Sequence, residues 1–123
     1  MKIGDAIQSA DWKKEKHAPV IECADTVQAG VPFTVEVSVG KEIPHPNTLE
    51  HHIRSIELYF QPADSRFVFL VGRVEFSAHG EGTALTAPSA TFSVQVGGPG
   101  TLVALSLCNI HGLWESSKAL AIG

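Results

Sequence analysis

The chain has 123 residues, with 9 Lys and Arg against 13 Asp and Glu, for a formal net charge of −4. That length fits a single domain, residues 1–123, that buries a core without help from disulfides. The acidic balance gives no support for nucleic-acid binding, which depends on a concentrated basic surface, and the longest apolar run, about five residues from Phe67 to Val71, is too short to span a membrane.

The opening segment MKIGDAIQSA has no apolar core of the signal-peptide kind, so a cytoplasmic location is expected. Ile3, Ala6, Ile7 and Ala10 have the spacing of one face of a short helix. A charged cluster follows, Asp11 to His17, and the chain then extends into Pro19, because a residue before proline avoids the α region. Cys23 closes a partly apolar segment and is expected to be a free thiol in a strand near the core.

From there the period is two. Phe33, Val35, Val37 and Val39 alternate with Thr34, Glu36 and Ser38, the pattern of a half-buried strand. Ile56, Leu58 and Phe60 repeat it, as do Phe92, Val94 and Val96. Phe67 to Phe76 is apolar enough to suggest a central strand, Thr101 to Leu107 is strongly β-forming, and Lys118 to Ile122 closes the set. Turn residues separate these runs at Pro62, Gly80–Gly82, Pro88 and Gly97–Gly100. About seven short strands without a long helical period predict an all-β sandwich of two sheets preceded by a short N-terminal segment.

The longest irregular stretch, Gly40 to His52, carries three of the six histidines, His45, His51 and His52. Long loops in compact domains are usually functional. Pro44 and Pro46 stiffen the backbone around His45. Cys108 and His111 have a spacing that brings a thiolate and an imidazole to one ion, and His17 lies beside Glu15. His79, next to Gly80, reads as a turn residue. Asn109 and the backbone around Cys108 are expected to donate hydrogen bonds to the thiolate. Spacing does not decide between His51 and His52. A set of four imidazoles and one thiolate exceeds the four ligands of structural zinc, and the one methionine, Met1, offers blue copper no axial ligand. Five such donors suit iron, although the pattern alone leaves zinc and copper open.

Three stretches together resemble the superoxide reductases of the one-iron class, the neelaredoxins, which are related to the iron-centre domain of desulfoferrodoxin. They are Glu15-Lys16-His17-Ala18-Pro19, Glu42-Ile43-Pro44-His45-Pro46-Asn47 running to Glu50-His51-His52-Ile53, and Cys108-Asn109-Ile110-His111-Gly112-Leu113-Trp114. The resemblance extends over essentially the whole chain. It implies an immunoglobulin-like sandwich. It also implies one non-haem iron held by His17, His45, His51 and His111 in the equatorial plane and by Cys108 on the axis. Glu15 would occupy the sixth site in the oxidised resting form, and Lys16 would stand near that site when it is open. The implied activity is the reduction of superoxide to hydrogen peroxide. Two-iron relatives carry an added rubredoxin-like domain with four cysteines, which this sequence lacks. The resemblance therefore implies one iron per chain, electrons from an outside donor such as rubredoxin or a similar small redox protein, and a homo-oligomer, commonly a tetramer. A closed electron-transfer centre or a zinc-bearing sandwich would need neither a carboxylate nor a lysine at the metal.

Overall fold

The computed structural model describes residues 1–123, and the alternating segments become strands with no α-helix among them. Nine strands form: β1 Gln8–Ser9, β2 Val20–Glu22, β3 Thr26–Val27, β4 Phe33–Ser38, β5 Ile53–Pro62, β6 Phe69–Glu75, β7 Ser89–Val94, β8 Gly100–Cys108 and β9 Gly112–Ile122. The larger sheet runs β1-β9-β8-β5-β6, with β3 also pairing to β9, and the smaller sheet runs β2-β4-β7. Their facing residues make one core that includes Val35, Val37, Ile56, Leu58, Leu102 and Ala104, all withdrawn from solvent. The fold is an immunoglobulin-like β-sandwich. The count exceeds seven because β1 and β3 are two-residue strands, too short to leave a periodic signal.

Three expectations need correction. Ile3, Ala6, Ile7 and Ala10 do not line a helix: a single 3-10 turn spans Ile3–Asp5, Ile3 is exposed, and β1 adds alongside β9 instead. The Phe67–Phe76 segment is not central. Its strand, β6, lies at the edge of the larger sheet, and Phe67, Val68, Phe69 and Leu70 are more than half exposed. A continuous apolar run marks a strand that something covers, but does not say whether its own chain covers it. The closing strand does not begin at Lys118. β9 starts at Gly112 and pairs with β8 from Gly112 to Leu120, through a polar stretch Glu115-Ser116-Ser117 that conceals it in the sequence. Cys23 stands just after β2, packs half-buried against the core, and is a free thiol like Cys108.

Two features of the larger sheet fix one end of the sandwich. The β8–β9 hairpin closes with Cys108 opposite Gly112, leaving Asn109, Ile110 and His111 as its loop. Gly112 has φ +78°, the left-handed conformation that ends a three-residue hairpin and that glycine adopts without steric cost. On the other side of β8, Ile53 lies opposite Cys108, and the register shifts between Ile53 and Ser55. A bulge there bends β5 and aims the preceding loop across the end of β8.

Candidate metal centre

The N-terminal segment reaches that end by a turn. Asp11 Oδ1 accepts from the Lys13 N–H, the Asp11 carbonyl accepts from the Lys14 and Glu15 amides, and the chain bends again at Lys16–His17. This bend lets the charge of Lys16 bear on the same groups that Glu15 and His17 adjoin, whereas an ideal strand would turn Lys16 to the opposite side. Ser106 Oγ on β8 donates to the His17 carbonyl at 3.1 Å and fixes where the segment crosses the sheet.

Four imidazoles then form a closed cycle. Ring centroids are 4.8 Å apart for His17 and His45, 4.7 Å for His45 and His51, 5.1 Å for His51 and His111, and 4.7 Å for His111 and His17. The diagonal from His17 to His51 is longer, 6.1 Å. Potential ligand atoms of His17, His45, His51 and Cys108 all lie within 4.8 Å of one another. His111 joins them through Nδ1, which is 3.1 Å from His17 Nε2 and 3.8 Å from Cys108 Sγ. Two nitrogens bound at right angles to one ion, each at about 2.1 Å, would be about 3.0 Å apart.

The tautomers suit a cation. His17 Nδ1 donates to Glu15 Oε1 at 2.7 Å, and His45 Nδ1 donates to the Pro46 carbonyl at 2.6 Å. Each ring therefore presents an unprotonated Nε2 to the cluster. Nε2 of His45 and of His51 is buried with no hydrogen-bond partner. Buried polar atoms are rarely left so, and orphaned lone pairs converging on one point call for a positive ion. Burial pushes the His45 imidazole down to about 4 and that of His51 in the same direction, so both stay neutral and able to ligate at neutral pH. The backbone N–H of His111 donates to Cys108 Sγ at 3.4 Å and holds the sulfur beside the imidazoles. Four imidazoles and one cysteine sulfur fit a single transition-metal ion, and as a set of five they fit iron.

Each residue singled out in the sequence has a definite place. His51 enters the cluster and His52 does not. His52 is buried, its Nδ1 donates to the Thr48 carbonyl at 2.9 Å, and its ring stacks on His79 with centroids 3.4 Å apart and planes inclined by 6°. His79 is thus more than a turn residue. Glu15 lies on the outer nitrogen of His17: its Oε1 accepts from both the His17 backbone amide, at 2.9 Å, and the ring Nδ1. The backbone N–H holds its carboxyl below the usual carboxylate range, and the ring adds to this. Lys16 is half-buried, and its charge bears on Glu15, His45 and His51. The side chain of Asn109 does not serve the thiolate. Its Nδ2 donates to the Glu50 carbonyl, and its Oδ1 accepts from the His52 amide.

Sequence reasoning missed the role of Trp114. Its ring stacks on His17 at 5.0 Å, inclined by 12°, and its Nε1 donates to the His111 carbonyl at 3.2 Å. It braces two of the four imidazoles at once. Only its place two residues beyond Gly112 on β9 could have pointed to it.

Fold and donor set together define a β-sandwich protein with a mononuclear histidine–cysteine metal centre. The desulfoferrodoxin family pattern matches residues 9–117, and the chain belongs to that family. It is 55% identical over 129 aligned residues to neelaredoxin of Megalodesulfovibrio gigas, covering 99% of each chain. It is 54% identical to the superoxide reductase of Pyrococcus furiosus, covering 96% of this chain and 98% of the relative. Among solved structures, superoxide reductase (neelaredoxin) of Archaeoglobus fulgidus in the reduced form superposes with a TM-score of 0.86 at 51% identity, covering 94% of this chain and 98% of that one.

The loop carrying His45 depends on Gly40. Its φ is +86°, and a Cβ there would lie 2.6 Å from the His45 backbone nitrogen. Gly40→Ala is therefore expected to displace His45 and weaken metal binding about tenfold or more, the size of effect seen when a ligand loses its support. Competition with a chromogenic chelator measures this, and unchanged affinity would show that the loop absorbs the methyl group.

Proposed function

We propose that the protein reduces superoxide to hydrogen peroxide at one non-haem iron, in a single iron-binding unit of residues 1–123. His17, His45, His51, His111 and Cys108 would hold that iron. The observation that carries this reading is the closed cycle of four imidazoles with the Cys108 sulfur beside it. Similarity to superoxide reductases along the whole chain supplies the reaction. Ferrous iron supplies one electron, which with two protons turns superoxide into hydrogen peroxide, and an external donor returns the ferric ion to the ferrous state.

The protein's part is to hold, attract and release. Glu15 fixes the tautomer of His17 by accepting its Nδ1 proton, and Pro46 does the same for His45. Cys108, as an anion, raises electron density at the metal. The exposure of His111 supports a centre that solvent reaches, so protons come from water and product leaves without a gate. Lys16 draws in the anionic substrate and stabilises the reduced product by charge and hydrogen bonding. What supports Lys16 in that role is the bend at Lys16–His17 and the reach of its charge to His45 and His51. Glu15 is assigned to the sixth site in the oxidised resting form. To move there it must give up both bonds that His17 makes to its Oε1.

The partners follow from exposed apolar surface. Ile43, Leu49 and Ile110 are exposed and stand within two residues of His45, His51 and His111. Such a rim suits transient docking of rubredoxin or a similar small redox protein. The edge strand β6 and the residues just before it, an exposed run from Phe67 to Val71, favour association of copies of this chain, with a tetramer as the expected state. No helix is long and apolar enough to cross a membrane. Two free thiols are at home in a reducing cytoplasm.

Protein purified from iron-supplemented cells is expected to contain one iron per chain and, once oxidised, to show a visible sulfur-to-iron charge-transfer band. Cys108→Ser should abolish that band. An iron-loaded Cys108→Ser protein with an unchanged band, or a purified protein that takes up only zinc, overturns the assignment.

Lys16→Ala is expected to slow the second-order reaction of the ferrous protein with superoxide about tenfold and to flatten its dependence on ionic strength, since steering by charge is what salt screens. Pulse radiolysis at two salt concentrations reads both. An unchanged rate with unchanged salt dependence removes Lys16 from the mechanism.

Leu70→Lys, on the exposed edge strand, is expected to lower the oligomeric state in sedimentation while leaving the iron spectrum intact. A protein that sediments as a monomer before the substitution contradicts the assembly.

A further inference from the structure

His51 belongs to a loop with no regular structure of its own, between Val39 and Ile53, yet its imidazole must meet the others to within a fraction of an ångström. Two side chains bind the backbone around it. Thr48 Oγ1 accepts from the His51 amide at 3.1 Å and donates to the His51 carbonyl at 3.2 Å, and the Thr48 amide donates to the same carbonyl at 2.9 Å. Asn109 takes the residues on either side. Its Nδ2 donates to the Glu50 carbonyl at 3.0 Å, its Oδ1 accepts from the His52 amide at 2.9 Å, and its own amide donates to the His52 carbonyl at 3.2 Å. His52 is in turn immobilised by its bond to the Thr48 carbonyl and by stacking on His79.

Asn109 directly follows Cys108. One exposed side chain, on the residue next to Cys108, therefore ties down the peptides that flank His51. We infer that Asn109 is a positioning residue that sets His51 relative to Cys108, and through that distance sets both the affinity of the site for its metal and the energy of the sulfur-to-metal transition. The inference rests on the iron reading above. The physical reason is entropic and geometric. The loop is irregular, so without the clamp His51 samples positions that no longer share a focus with Cys108, and the ion must order it on binding. A contact of this kind, one step removed from the ligands, is typically worth 10–100-fold in metal affinity.

Three full-length variants test it. Asn109→Ala removes both side-chain bonds. Asn109→Asp keeps the acceptor for the His52 amide and loses the donor to the Glu50 carbonyl. Asn47→Ala removes a different bond of the same loop, Asn47 Nδ2 to the Thr86 carbonyl at 3.2 Å, that does not bracket His51. Ferrous and cobaltous affinities are measured by chelator competition, and the charge-transfer band is recorded on the oxidised iron protein. Asn109→Ala is expected to bind each metal 10–100-fold more weakly and to shift the band. Asn109→Asp should fall between it and the starting protein, and Asn47→Ala should match the starting protein in both measurements. Equal losses in Asn47→Ala and Asn109→Ala would mean general loosening of the loop and overturn the inference. So would an unshifted band with unaltered affinity in Asn109→Ala. If Asn109→Ala does not fold, the comparison of Asn109→Asp with Asn47→Ala decides by the same criteria. If the starting protein binds neither metal, the iron reading fails instead, and that outcome is visible before any variant is made.

Discussion

The architecture of the centre depends on the pairing at the end of β8. Cys108 is the last residue of that strand, opposite Ile53 on one side and Gly112 on the other. The first pairing delivers the loop that carries His45 and His51, and the second closes the hairpin that carries His111. Only His17 comes from elsewhere, and it too is fixed to β8, through Ser106. A slip of one residue in either register would turn Cys108 to the opposite face of the sheet and separate the sulfur from every imidazole. The buried residues of β8, Leu102 and Ala104, alternate towards the core and oppose such a slip. Core packing thus supports the metal centre indirectly, by making the register of one strand costly to change.

Much of this is legible in the sequence. Period two revealed β4, β5 and β7, because each has one face on the core, and β8 was marked by its strongly β-forming residues. The Cys108–His111 spacing is weak by itself and pointed to a metal only together with the proline-flanked His45 and the Glu15–His17 segment, the three stretches that resemble the superoxide reductases. What stayed hidden has physical causes. The long β9 was hidden by its polar middle, Glu115-Ser116-Ser117, and β6 was placed centrally because its own chain leaves its apolar residues uncovered. His51 and His52 are neighbours with identical chemistry, and only the tertiary partners of His52, Thr48 and His79, separate them. Asn109 was credited with the neighbouring sulfur because adjacency in sequence suggested it, whereas its side chain reaches across β8 to the partner loop.

The histidines outside and inside the cluster obey one rule with opposite results. Imidazoles buried at such density would be costly if protonated, because they would repel one another in a poorly solvated space. Within the cluster, the outward Nδ1–H groups of His17 and His45 donate to Glu15 and to the Pro46 carbonyl, leaving their Nε2 lone pairs inward for an ion. In the outer pair, His52 and His79 stack with planes nearly parallel and 3.4 Å between centroids. Two planes so nearly parallel do not converge on one ion, since a metal should lie in the plane of every imidazole that binds it. The pair therefore serves as packing for the loop.

Charge explains how an acidic chain can handle an anionic substrate. Much of the surface charge is locally paired, as in Arg73 with Glu57 and Glu75 and in Lys118 with Asp25, and the formal net charge is only −4. At physiological ionic strength, charges farther away than about 8 Å are largely screened. What bears on a small anion at the centre is local: four imidazoles, the Cys108 sulfur, the charge of Lys16, which reaches His45 and His51, and a carboxylate already engaged by His17. A divalent ion held there with one thiolate would carry a net charge near +1. Glu15 would not cancel that attraction, because two hydrogen bonds from His17 hold its carboxylate beside the outer nitrogen of that ring.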